Sequence, residues 1–149
     1  MASIPTLPAH AKDDEIRQLK EALELTRQVM IGLLPTEIAQ SLRNFVSEYS
    51  TSGDWKLIQD LPEKLVEMAY DSAFWPPLYG CQRALCPLCG QGSQSPYEKG
   101  FALPIGLQRH LMGRGNATQC GVMEIILDMA RENRRYHTEQ LQGNSVGQM

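Results

Sequence analysis

The feature that most constrains this chain is the stretch Cys86-Pro87-Leu88-Cys89-Gly90, in which two residues separate two cysteines. This spacing, with a glycine directly after the second cysteine, is typical of a turn that directs two sulfurs at one ion. Structural zinc sites have four ligands drawn from cysteine and histidine, so two further ligands are required. His110 and Cys120 can supply them. The sequence therefore predicts one structural zinc ion bound by Cys86, Cys89, His110 and Cys120.

The segment before the predicted histidine ligand contains a second motif, Phe101-x5-Leu107-x2-His110, which resembles the Cys2His2 zinc-finger family. Phe101, Leu107 and His110 have that family's Phe-x5-Leu-x2-His spacing, and the resemblance covers about residues 86–120. It implies that the Phe and Leu form a small core and that the His lies on a helix. The chain departs from the family in its longer connections, with eleven residues before the phenylalanine and nine after the histidine. A cysteine as last ligand makes this a variant Cys3His set.

The residues around the predicted ligands indicate two helices. Pro104 suits the first turn of a short helix from Ile105 to Met112, and Gly113 suits its C-cap. Cys120-Gly121 then opens a final helix, whose N-terminus favours a thiolate. The predicted apolar face of this last helix consists of Val122, Ile125, Ile126 and Met129.

Two other interpretations of the cysteines remain open. Cys81, Cys86 and Cys89, with Cys120 thirty residues further on, have the Cys-x4-Cys-x2-Cys…Cys spacing of plant-type ferredoxins, which hold a [2Fe–2S] cluster for electron transfer. Those proteins are rich in strands, whereas this chain has helical periodicity. A redox-active Cys-x-x-Cys pair would need a helix directly after it, and Gly90-Gln91-Gly92 begins none. Cys81 is left as a substitute ligand for Cys120 or as a small buried residue.

The first half of the chain predicts three helices. The first begins at Asp13 and ends by Pro35, the second runs from Thr36 to a break at residues 50–53, and the third runs from Leu61 to about Ala73. The predicted buried residues are Ile38, Leu42, Phe45, Val46 and Tyr49 in the second helix, and Leu65, Met68, Ala69 and Ser72 in the third. Asp60 and Glu63 resemble a capping box at the start of the third.

The apolar stripe of the first helix has two interpretations. Its members alternate in spacings of three and four residues: Ile16, Leu19, Leu23, Thr26, Met30 and Leu33. The stripe is favoured to pack against the second and third helices. It could instead be the seam of a homodimeric coiled coil, although about two and a half heptads is shorter than such seams usually are.

Charge and cysteine content both change near Trp75-Pro76-Pro77. Residues 1–79 carry 12 acidic and 7 basic side chains, a balance of −5, and residues 80–149 carry 5 acidic and 7 basic, a balance of +2. We predict a mainly α fold with a flexible tail (1–12), an acidic helical domain of about three helices (13–75), a zinc-binding module (80–140) and a second tail (141–149). On this division, Cys89→Ser would unfold residues 81–120 and leave the first three helices largely intact.

The composition and motifs favour a non-enzymatic protein. Four protein ligands would leave zinc no open position for water. The sequence has no Gly-x-Ser-x-Gly, no His-Glu-x-x-His and no phosphate-binding loop. We predict an adaptor or inhibitor that binds a larger, nucleic-acid-processing protein complex, such as an anti-defence factor of a mobile element. The candidate contact residues are Arg83, Arg109, Arg114, Arg131, Arg134 and Arg135, with the aromatic pair Trp75 and Tyr79.

The alternative is a small DNA-associated regulator. Alignment on the finger pattern puts Leu103, Gly106 and Arg109 at the positions that would meet bases, and only the arginine could make a bidentate contact. Any nucleic-acid binding would therefore be mainly to phosphates and not sequence-specific. No apolar run approaches the roughly 20 residues of a membrane span, and the N-terminus lacks signal-peptide features. We therefore expect a cytoplasmic protein.

Overall fold

A computed structural model describes residues 9–74, 81–92, 99–115 and 117–147 of the chain. The predicted mainly α fold is confirmed. The helices are α1 (Ala9–Gly32), α2 (Thr36–Ser52), α3 (Lys56–Tyr70), α4 (Ile105–Met112) and α5 (Gly121–Gly147), and the strands are β1 (Arg83–Ala84) and β2 (Phe101–Ala102). The strands pair antiparallel, with Arg83 opposite Ala102 and Ala84 opposite Phe101. Within these ranges, no helix combines the length and apolar composition needed to span a membrane.

The chain divides into two compact units, Met1–Pro35 and Thr36–Met149. This division differs from the predicted boundary at residues 75–80. The reason is that α2 packs extensively along α5, and α3 contacts both α4 and β1. Helices assigned from sequence to separate parts thus share one hydrophobic core in the second unit.

The buried side of α2 matches its predicted stripe, whereas that of α5 matches only in part. In α2, the predicted Ile38, Leu42, Phe45 and Val46 are buried. In α5, the predicted Ile126 and Met129 are buried, together with Met123, Leu127 and Ala130, which were not predicted. Val122 and Ile125, predicted for that face, are only half-buried. Both sets satisfy helical periodicity, so packing decides which of them points inward.

Helix α3 begins five residues before its predicted start, so the predicted Asp60–Glu63 capping box is wrong. The Oδ1 atom of Asp54 instead accepts a hydrogen bond from the backbone N–H of Lys56 (3.0 Å) at the helix start. Pro62 lies inside the helix and is buried. Its burial in the core comes with the loss of one backbone hydrogen bond of the helix, because proline has no N–H to donate.

The helices at both ends of the chain are longer than predicted. Helix α1 begins at Ala9, within the stretch assigned to the first tail. Helix α5 continues to Gly147, across most of the stretch assigned to the second tail. Residues 141–147 contain no proline, so no steric block ends the helix after its buried part.

Candidate metal centre

The structure brings together the four predicted metal ligands: Cys86, Cys89, His110 and Cys120. Their ligand atoms all lie within 4.8 Å of one another. The sulfurs of Cys86 and Cys120 are 3.8 Å apart, and the sulfur of Cys89 is 3.3 Å from Nε2 of His110. A tetrahedral zinc ion with Zn–S of about 2.3 Å and Zn–N of about 2.0 Å requires separations of about 3.8 Å and 3.5 Å. These two separations match such a site, and the group, called the Cys3His cluster below, could hold one metal ion.

The first two ligands lie on a tight turn that follows β1. The N–H of Gly90 donates to the carbonyl of Cys86 (2.9 Å), and the N–H of Cys86 donates to the carbonyl of Gln91 (2.8 Å). The backbone N–H groups of Leu88 and Cys89 also donate to the sulfur of Cys86. That of Gln91 donates to the sulfur of Cys89. These donors stabilise negative charge on the two sulfurs, as a thiolate–metal site requires.

The last ligand, Cys120, directly precedes α5. Its sulfur accepts hydrogen bonds from the backbone N–H groups of Val122 and Met123. The thiol of Cys86 donates to the same sulfur, and this bond, followed by the backbone donors, lowers the pKa of Cys120 to about 5. The same bond, together with burial, raises the pKa of Cys86. Burial likewise raises the pKa of Cys89. A metal that binds all three sulfurs must therefore displace protons.

The imidazole of His110 is oriented by contacts on both sides. Nδ1 lies 2.9 Å from the carbonyl oxygen of Thr118. Because a carbonyl only accepts, Nδ1 carries the proton and Nε2 presents its lone pair to the cluster. The ring also stacks on Phe101, with centroids 4.3 Å apart and planes 18° apart. A backbone carbonyl that fixes the tautomer is the usual outer-shell partner of a metal-binding histidine.

The elements implied by the finger resemblance are present around this histidine. Phe101 lies on β2, and Leu107 is fully buried on α4. The bounds of α4 are those predicted, and Gly113 ends the helix with φ of 67° while its N–H donates to the carbonyl of Arg109. The predicted start of the last helix after Cys120 is also observed.

The chain matches no family model, no curated protein and no solved structure. The likeness to Cys2His2 fingers therefore consists of these spacings and local elements.

Cys81 does not belong to the Cys3His cluster. It is half-buried, and the group at metal-binding distance among the described residues contains His110 in its place. The four-cysteine pattern of a ferredoxin is thus not assembled. The two strands of this part contain only two residues each, unlike the strand-rich ferredoxins.

Two of the six candidate contact arginines are engaged within the protein. Arg83 is 9% exposed, and its Nη1 donates to the carbonyl of Gly100 at 3.4 Å. The Nη1 atom of Arg134 donates to the carbonyl of Thr51 at 2.7 Å, at the C-terminal end of α2. These contacts make both guanidinium groups poor candidates for a partner or phosphate.

The remaining candidate contact residues are either exposed or outside the described residues. Four arginines are exposed: Arg109, Arg114, Arg131 and Arg135. Trp75 and Tyr79 lie outside the described residues.

Arg134→Met is expected to destabilise the protein by about 1 kcal/mol, since it removes a charged donor from the last carbonyls of α2. The matched control is Arg135→Met, which alters the exposed neighbour and should change stability by less than about 0.5 kcal/mol. Urea denaturation followed by circular dichroism measures both. Equal midpoints for the two variants would show that the Arg134 contact contributes no stability.

A groove between α3 and α4 was not predicted from sequence. It has a volume of about 420 Å³. Its lining includes Ile58, Asp60 and Glu63 from α3, and Ile105, Arg109, Met112 and Arg114 from α4 and the following turn. Only the folded chain places these residues together, because about 40 residues of sequence separate the two walls. We call this surface the α3–α4 groove.

Proposed function

We propose that the Cys3His cluster binds one structural zinc ion. The observation that carries this proposal is the approach of the four ligand atoms to within 4.8 Å. The carbonyl oxygen of Thr118, 2.9 Å from Nδ1 of His110, favours the tautomer that leaves Nε2 for the metal. Four protein ligands complete a tetrahedron, so no position is left for a bound water or substrate. Zinc bound in this way stabilises structure and performs no reaction.

The protein is then a non-enzymatic binding module whose partner is a protein. The α3–α4 groove supports this interpretation. Its α3 wall carries the carboxylates of Asp60 and Glu63, and its other wall carries the guanidinium groups of Arg109 and Arg114. The apolar side chain of Ile105 is 56% exposed beside them. Such a groove suits a protein segment with an apolar anchor and charges of both signs.

The same charges disfavour nucleic acid as the ligand of this groove. A phosphate backbone would approach the carboxylates of Asp60 and Glu63 as well as the arginines. Base reading is also disfavoured, because Leu103, one of the positions aligned with base-contacting residues, is 8% exposed. We therefore place the DNA-associated regulator second. An adaptor or inhibitor of a nucleic-acid-processing complex remains the proposal, supported by the acidic balance of residues 1–79.

Elemental analysis of the purified protein is expected to find one zinc per chain, both in the wild type and in Cys81→Ser. The substitution leaves the cluster untouched, so it separates the zinc site from the ferredoxin pattern. Cobalt substitution should give the visible absorption of a tetrahedral thiolate site. Iron in the protein, or loss of metal in Cys81→Ser, would contradict the proposal.

Ile105→Glu is expected to lower retention of a protein partner captured from native cells by about tenfold or more, the effect of losing about 1.4 kcal/mol. The control is Leu25→Glu, which introduces the same charge at another exposed apolar position, on α1. Quantitative mass spectrometry compares the captures.

Gel shifts with random duplex DNA at low salt should show no binding. Salt-sensitive DNA binding, together with equal protein capture by both variants, would favour the DNA-associated regulator.

A further inference from the structure

The apolar stripe of α1 is largely exposed. Ile16 is 51% exposed, Leu19 63% and Leu23 48%, and Leu33, which directly follows the end of α1, is 81% exposed. Thr26 is also exposed, and Met30 is half-buried. The helix has 24 residues and therefore extends about 36 Å. Large apolar side chains repeated along such a helix mark a surface for association.

We propose that α1 pairs with α1 of a second copy of this chain as a short parallel coiled coil. The stripe supplies the two core positions of a heptad repeat. Within α1, Ile16, Leu23 and Met30 occupy position a, while Leu19 and Thr26 occupy position d. The spacing of 3.5 residues keeps this seam on one side of both helices.

The charges beside the seam select a parallel arrangement. In this register Glu15 is at position g and Lys20 is at position e of the next heptad. A parallel pair places Glu15 opposite Lys20 of the second copy, twice per dimer, with opposite charges. An antiparallel pair instead places position e against position e, so that Glu15 and Lys20 would not meet and this attraction would be lost.

Among the other charged side chains of α1, Lys12 falls at position d, one heptad before Leu19, and Arg27 lies beside the seam at position e. Arg17 and Asp14 form an ion pair of 3.6 Å at positions b and f, on the outer side of the helix. The threonine at position d and the limited length weaken the seam. We therefore expect a reversible dimer whose population rises with protein concentration.

Sedimentation equilibrium of the full-length chain, from micromolar to near-millimolar concentration, tests this pairing. The wild type should shift from monomer to dimer. The double variant Leu19→Glu/Leu23→Glu should weaken dimerisation by about a hundredfold, because it places like charges in the seam. Leu25→Glu is the matched control, since Leu25 is 66% exposed but lies at position c. A monomeric wild type, or equal weakening by Leu25→Glu, would overturn the proposal.

Charge exchange tests the orientation. Glu15→Lys and Lys20→Glu should each weaken the dimer several-fold, and the double exchange should restore it, because the parallel pair regains opposite charges. In an antiparallel pair, neither single exchange would remove an attraction between the two copies, so neither would weaken the dimer. Dimerisation that both single exchanges leave unchanged would overturn the parallel arrangement. Zinc content and far-ultraviolet circular dichroism should remain those of the wild type in all these variants, which separates a failure of pairing from a failure of the metal centre.

Discussion

Cys89→Ser is expected to abolish stoichiometric zinc binding and to unfold much of the unit from Thr36 onward. Structural zinc contributes on the order of 10–16 kcal/mol in finger peptides, and a whole domain is stable by only about 5–15 kcal/mol. The sequence alone predicts that the first three helices would survive this loss. The shared core of α2 and α5 changes that expectation, because α5 begins directly after the ligand Cys120. We therefore expect the backbone amides of α2 to lose protection from hydrogen exchange together with those of α5.

Three measurements test the consequences of this substitution. Elemental analysis reports the zinc content, thermal unfolding reports stability, and amide hydrogen exchange reports the protection of α2 and α5. Cys81→Ser is the control, since it removes a half-buried cysteine that lies outside the cluster. Retention of one zinc per chain and an unchanged unfolding temperature in Cys89→Ser would show that the ligand assignment is wrong.

Gly100→Ala is expected to destabilise the protein by about 3 kcal/mol. Gly100 has φ of +77°, and a Cβ there would lie 2.7 Å from the carbonyl oxygen of Ala84 and 2.8–2.9 Å from its carbonyl carbon and nitrogen. The left-handed conformation costs an alanine about 1 kcal/mol, and the overlap with backbone of β1 adds about 2 kcal/mol. The residue precedes β2, so any adjustment would disturb the strand that carries Phe101 against His110.

Gly90→Ala is the matched control for this clash. Gly90 has a similar φ of +72°, but a Cβ there meets no atom within 4 Å. Its expected cost is therefore only the conformational term of about 1 kcal/mol. Chemical denaturation of both variants measures the difference. Equal free energies of unfolding would show that the backbone of β1 shifts to accommodate the added Cβ without loss of stability, contrary to the expected clash.

The parts of the site that were predictable are those encoded by local chemistry. The Cys-x-x-Cys spacing identifies two ligands because few other sites need it, and the position of His110 after Leu107 identifies the third. Pro104 and Gly113 fix the limits of α4, since their backbone preferences act within one turn. The carbonyl of Thr118 was not predictable, because every residue offers a carbonyl and only the fold selects one.

The sequence by itself determined the mainly helical fold, the bounds of α4, the start of α5 and three of the cluster residues, Cys86, Cys89 and His110, whereas the folded chain decided between Cys120 and Cys81. These features depend on residue type and on short sequence spacings between residues, no longer than about one helix. Tertiary structure alone decided that Met123, Leu127 and Ala130 of α5 are buried in place of Val122 and Ile125, that α2 and α5 share a core, and that Arg83 and Arg134 are engaged inside the protein. The physical reason is that helical periodicity determines where apolar residues recur along a helix, whereas the surface against which that helix packs belongs to a distant part of the chain.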